Sequence, residues 1–460
     1  MTQKHAAMTK EAECTAAEAA PDPLQRRTLV VLVIAQILGT IGLGVAPSIG
    51  ILLAGEVTDN EAWAGLARTS STLGAALLGI PLGNLAARRG RRAALTTGWW
   101  VAAAGAALLV AAAQWQLVPA LFLGLLMTGA GTAASLQARF AATDLASPST
   151  RARSLSLVVW MGAIGNVLGP NLGVPGEVLG AATGLSVYAA AFLIAAIGSL
   201  LAGTVIFVLL RPDPLHRLMH PGAAAQDPPA PAPGDDAPVS PEPGGVDAAA
   251  RPRRLRRLRM MVEELAANPR ARTALIALLT SQVVMVSLMT MTPVHIEHQG
   301  GSLTVVGITI SLHVAGMYGL APVVGLLVDR AGHRVTVGVG ILLFALSLGA
   351  AIFAASSMTG VIISLVLLGL GWSFMNVAAS ALFSAAIPDR SRASAQGGAD
   401  ALSNLLGATA SFIAGPIMVL TSFSALGVLA AAVMIPVTVL FLRRSRWQAP
   451  AAPAGSLPRG

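Results

Sequence analysis

The chain has 460 residues, 55% of them hydrophobic and only 11% charged, against roughly 45–50% apolar and about 25% charged in a typical soluble domain. With 30 basic and 21 acidic side chains in all, it cannot cover a soluble enzyme of this length with polar surface. The formal charge of +9 would suit a nucleic-acid partner, but its placement along the chain argues against one, and the lone Cys14 excludes an intrachain disulfide framework and a multi-cysteine metal site.

A polar tail over 1–27, expected to be disordered and cytoplasmic, leads into repeated apolar stretches long enough to cross about 30 Å of hydrocarbon. In the first half they fall near 28–54, 63–87, 93–113, 116–143, 152–174 and 184–210. The loop after the first is acidic, with Glu56, Asp59 and Glu61. Arg68 lies early in span two; it could attract an anion, pair across the bundle, or snorkel to outer headgroups. Between spans two and three the chain reads Gly83, Arg88, Arg89, Gly90, Arg91, Arg92, with Ala87 before the basic run. Span four carries Gln137 and Arg139 and closes on Asp144, an arrangement open to a gate or a neutralised pair. Span five contains Gly165, Asn166, Gly169, Pro170 and Gly173, which predicts a groove for a neighbouring helix and a bend where proline removes a backbone donor. Asn166 and Trp160 are weaker candidates for a cavity wall.

Residues 211–270 form a linker. Its Ala/Pro/Gly-rich part, 221–250, predicts disorder, and 251–265 predicts a basic amphipathic helix, suited to anionic inner-leaflet lipid or to the ends of the bundle. Spans seven to twelve follow near 271–295, 303–328, 335–355, 359–387, 393–421 and 424–443, with a tail over 444–460. Met285, Met289 and Met291 offer an adaptable lining or simply lipid contact. Glu297, between His295 and His298 at the outer end of span seven, could hold a proton or cation at the outer entrance or belong to an ordinary exposed loop; the spacing makes no convincing metal motif. His313 lies near the middle of span eight, where a histidine either carries protons or bridges helices. Tyr318 is a further cavity candidate, as is Asn376 of span ten. In span eleven Gln396, Asp400 and Asn404 recur one turn apart and so share a face, predicting a polar stripe along a cavity.

Counted over this topology with both termini inside, 29 of the 30 Lys and Arg residues are cytoplasmic and only Arg68 is external. The bias orients the spans and accounts for the positive charge, which removes the case for nucleic acid. Gly83, Gly90 and Arg92 recur 242 residues later as Gly325, Gly332 and Arg334, so two six-helix halves, 28–210 and 271–443, are expected. The expected fold is therefore all-α and polytopic, with twelve transmembrane helices in two pseudo-symmetric bundles.

Both loops resemble the signature of the major facilitator superfamily. The second, Gly325 to Arg334, keeps the family's acidic residue as Asp329, next to Arg330, while the first has Ala87 in its place. Span five resembles the Gly-x-x-x-Gly-Pro-x-x-Gly pattern of the superfamily's proton-coupled drug exporters. The resemblance implies alternating access, with Asp329 latching to arginines at neighbouring helix ends and, lacking that carboxylate, Arg88 and Arg91 turning to Asp144 or to lipid phosphate. It further implies a monomeric inner-membrane transporter of a small molecule, with protons as coupling ion and no other cofactor or metal. Export of an amphipathic compound is the leading expectation; uptake of a metabolite and a non-transporting sensor are the alternatives. No Gly-Lys-Ser/Thr phosphate loop occurs, and no catalytic trio converges, so ATP-driven transport and enzyme activity are not expected.

Overall fold

The computed structural model describes residues 23–147, 150–219 and 268–442. The expected linker helix over 251–265, the disordered stretch 221–250 and both tails lie outside them. Among the described residues there are ten helices or helix runs long and apolar enough to cross a bilayer. Two of these runs, Trp63–Trp115 and Leu303–Phe353, contain residues with non-helical backbone, at Gly90 (φ 85°, ψ 172°) and Gly332 (φ 85°, ψ 161°). Only glycine adopts such angles cheaply, so each run is two spans folded back at its glycine. The ten runs thus hold twelve spans, as the apolar stretches predict.

Span one comprises Pro23–Val45 and Ile49–Thr58, interrupted at Pro47. Span four is Val118–Ala141 and span six Val187–Leu209. Span seven is Pro269–His298, span eight begins as Leu303–Tyr318, and spans ten to twelve are Met358–Ala386, Asp389–Leu420 and Phe423–Leu442. Span five is longer than its apolar pattern suggests. It runs as Arg151–Leu168, tightens into a 3-10 turn over Gly169–Leu172 at Pro170, and resumes as Gly173–Thr183. The proline interrupts the helix without ending it, because a 3-10 turn re-satisfies most of the backbone.

The halves pack internally through small residues. A Cβ on Gly74 would lie 1.9 Å from the Leu126 carbonyl, and one on Gly165 2.0 Å from Thr40 Oγ1. Such close approach is how helices adhere where lipid supplies no hydrophobic drive. The two halves meet each other along two seams, span two against span eleven and span five against span eight.

The two basic loops lie on the face where Gln25, early in span one, meets Ala142 and Phe441, late in span twelve, meets Arg334, here termed the basic face. In the first loop Arg91 donates to Asp144 through Nε (2.8 Å) and an Nη atom (3.2 Å). Asp213, just after span six, accepts from the backbone N–H of Arg92 (2.7 Å) and of Leu215 (2.9 Å). Arg92 in turn donates to the Phe207 carbonyl (2.7 Å) and covers the Phe207 ring. Two distant carboxylates therefore serve the turn at which Ala87 replaces an acid. Asp213→Ala should lower stability by about 1–2 kcal/mol, read as a fall in unfolding temperature in detergent; an unchanged midpoint would remove Asp213 from this role.

The second loop is built differently. Asp329 is exposed and makes no ion pair with an arginine among the described residues; its electrostatic neighbour is His333. Arg334 lies over the Phe441 ring instead.

Candidate functional site

All hydrogen bonds that join the halves among the described residues lie towards the face opposite the basic loops. Thr69 Oγ1 donates to the Ala408 carbonyl (2.9 Å), and Ser411 Oγ to the Gly65 carbonyl (3.1 Å). In the other seam Ser311 Oγ donates to the Val167 carbonyl (2.5 Å), and Asn171 donates to Ser311 Oγ (2.7 Å). A 3-10 turn shifts backbone bonding by one residue, which opens the Val167 carbonyl to this partner. At the surface His298 pairs with Glu61 across the halves.

Both glycine–proline segments sit in these seams. Gly165 and Gly169 receive span one, whereas Gly173 faces Leu303 of span eight. Gly415, beside Pro416, lies against Ala62 and Gly65 of span two. Towards the basic face the described residues show no hydrogen bond of this kind, and Gly83 and Gly325 have open space around them. Gln396, Asp400 and Asn404 are exposed along one face of span eleven. The interior is thus closed on the far face and open on the basic face.

Tyr318 of span eight lies near both Arg68 and Arg139, Asp400 near Arg139, and buried His313 is also near Arg68. Arg68 is half-buried and directed inward rather than to outer headgroups. Positions 65 and 69 are engaged by span eleven, and Arg68 lies about 60° around the helix from Gly65, beside that contact. Tyr318 meets Trp372 edge-on, and the Trp372 indole donates to Gln282 (3.1 Å). Neither Gln282 nor Trp372 was among the expected site residues, although a lone amide within the apolar run of span seven is a detectable cue.

Beside Tyr318 an apolar pocket of about 190 Å³ lies between spans five and eight, lined by residues including Trp160, Ile164, Val167, Leu168, Val314 and Tyr318. Trp160, Tyr318 and Val167 place it immediately on the basic side of the Ser311–Val167 seam.

Other expected residues fall elsewhere. His313 is buried on the face of span eight away from span five; its Nδ1–H donates to the Leu365 carbonyl of span ten (2.8 Å), and Gly369 leaves room for it. It bridges two helices of the second half instead of facing the opening, because its positions relative to Ser311, Val314 and Tyr318 put it on the opposite side of the helix. Asn166 donates to the Gly162 carbonyl in its own helix (3.1 Å). Asn376 is half-buried. Glu297 is exposed near the His298–Glu61 pair, and His295 donates to the Ala355 carbonyl (2.8 Å) and stacks on Phe423. Arg88 and Arg330 are exposed on the basic face.

Comparison with known proteins agrees with this architecture. The family model described as Major Facilitator Superfamily matches residues 28–312 and 274–459. The MFS-type transporter YdeG of Bacillus subtilis (strain 168) is 36% identical over 421 residues, covering 90% of this chain and 92% of that protein. The riboflavin transporter RfnT of Brucella anthropi is 27% identical, covering 85% and 89%. Among solved structures, a bacterial homologue of the human lysosomal transporter Spinster, inward-facing and unoccupied, superposes with a TM-score of 0.65 at 16% identity, over 94% of this chain and all of that one. With a matching model across both halves and a relative above one-third identity over nearly the whole chain, this multi-pass membrane protein belongs to the major facilitator superfamily of transporters.

Proposed function

We propose that the chain is a proton-coupled secondary transporter of the cell membrane, with both termini cytoplasmic, that exports a small amphipathic compound by alternating access. The observation that carries this reading is an exposed Asp400 on the wall of an interior that opens only on the basic face, opposite the basic side chain of Arg139. With the arginine-rich loops cytoplasmic, the structure is the inward-open state. A carboxylate in that position is hydrated while the interior is open and must lose its water when the halves close on this side. Ionised groups are removed from water only at a cost of several kcal/mol unless paired or neutralised, so a proton on Asp400 favours closure. On the export limb bound cargo stands in for that water; after cargo leaves outside, a proton taken from there neutralises Asp400 for the return and is released to the cytoplasm.

Uptake of a small metabolite is the second reading, supported by the likeness to a riboflavin transporter over most of both chains. Both readings share the coupling step. In liposomes containing purified protein, an imposed pH gradient should drive cargo accumulation, and cargo should move protons in turn. Cargo flux indifferent to the gradient would overturn coupling, and the orientation of the productive gradient decides between export and uptake.

A further inference from the structure

The guanidinium of Arg68 is a charge in search of an acceptor. Among the described residues no carboxylate lies within ion-pairing distance of it, and the hydrogen bonds at this residue are those its own carbonyl accepts from Ser71 and Thr72. An arginine set inside a membrane protein without a partner is expensive, and such residues mark ligand or ion pathways. Arg139 adds a second cation to the same opening, against one carboxylate, Asp400, so the interior of the first half presents a net positive wall.

The second element is apolar. The pocket between spans five and eight is walled by Trp160, Ile164, Val167, Leu168 and Val314, and Tyr318 joins it to the charged region by interacting electrostatically with both arginines. The seam bond from Ser311 to Val167 closes its far end. A ligand with its body in this pocket therefore has its other end towards Arg68 and Arg139. A guanidinium fork matches a planar carboxylate with two parallel hydrogen bonds, whereas a cationic compound would have to approach two arginines and an inorganic anion would leave the pocket empty.

We infer that the cargo is an amphipathic organic anion, its apolar body held between spans five and eight and its carboxylate or equivalent acid group held by Arg68. The inference rests on the transporter reading for the word cargo, but its test is one of binding and does not require flux. Three probes of one shape separate the charge classes: naphthalene-1-acetate, its methyl ester and 2-(1-naphthyl)ethylamine. Binding to the purified protein in phosphatidylcholine nanodiscs is followed by ligand-induced change in unfolding temperature and by tryptophan fluorescence.

The carboxylate should bind more tightly than the ester, and the amine least. Arg68→Gln should weaken the carboxylate about 30-fold or more while leaving the ester within twofold, and Arg68→Lys should keep the order of the three. Trp160→Ala should weaken carboxylate and ester alike. Since Arg68→Lys and Trp160→Ala each retain the native charge pattern, they keep the test decisive if the glutamine variant does not fold. Equal binding of the three probes, preference for the amine, or no binding of the carboxylate at millimolar concentration would overturn the inference. So would loss of carboxylate binding on adding phosphatidylglycerol, which would assign the site to a bilayer lipid. If the carboxylate binds as expected but no bound compound crosses a liposome membrane, the transporter reading fails and the anion site stands.

Discussion

Replacing Gly65 by valine is expected to abolish productive cycling by preventing closure of the outer side. A Cβ at Gly65 would lie 2.2 Å from the Ser411 carbonyl oxygen, a backbone atom that cannot swing away, and Gly415 approaches the same turn from span eleven. An ordinary contact of that kind needs about a further ångström, which only separation of spans two and eleven provides. Overpacking a close-packed interface costs about 1–3 kcal/mol. On the proposed alternating-access cycle, with the basic face cytoplasmic, this interface is closed in one state and open in the other, so the penalty falls on one state and shifts the balance by about 5- to 150-fold. Each half keeps its own internal packing, so folded protein should still reach the membrane. Transport in liposomes should fall at least tenfold. A cysteine placed at Ser311, buried in the second seam, in a Cys14→Ser background, should react faster with a membrane-impermeant maleimide added outside. Unchanged reactivity together with full transport would show that the Gly65 seam does not close during the cycle.

How far these features could be read in advance depends on whether they are local. The spans are legible because a bilayer demands length and apolarity, and the folds at Gly90 and Gly332 because a positive φ demands glycine. The pairing of Arg91 with Asp144 is accessible for a similar reason: both lie at helix ends on one face, where their range of partners is small. The direction of Arg68 and the face chosen by His313 are not legible in the same way. A soluble helix declares its inner side by polar residues on the other, whereas a span in lipid is apolar around its whole circumference, so periodicity does not say which face meets the opening. Asp213 is hidden for another reason. Its role is defined by a turn 121 residues earlier, and nothing near it in sequence marks it. The two glycine–proline segments stand between these cases. Their letters announce close packing and a bend, but only the tertiary structure puts Gly173 and Gly415 into the two seams between the halves.

Asp400→Asn should uncouple transport while leaving the scaffold intact. Asparagine has nearly the shape of aspartate and accepts hydrogen bonds, but it carries no charge to be stripped of water when the basic face closes. The variant can therefore close and reopen without a proton, so cargo should still equilibrate down its own gradient, while accumulation against it, driven by an imposed pH gradient, should vanish. Arg139 supplies the competing account, because an ionised Asp400 could be neutralised on closure by that cation. The two accounts differ in what the double variant does. If a proton neutralises Asp400, then Arg139→Gln alone should retain gradient-driven accumulation, and the double variant should behave like Asp400→Asn. If the ion pair neutralises it, Arg139→Gln alone should impair closure, Asp400→Asn should leave an unpaired buried cation at a cost of about 3–5 kcal/mol, and the double variant should recover cycling relative to either single change. Normal gradient-driven accumulation by Asp400→Asn would remove this residue from the coupling step altogether and leave the polar stripe of span eleven as a passive lining of the cavity.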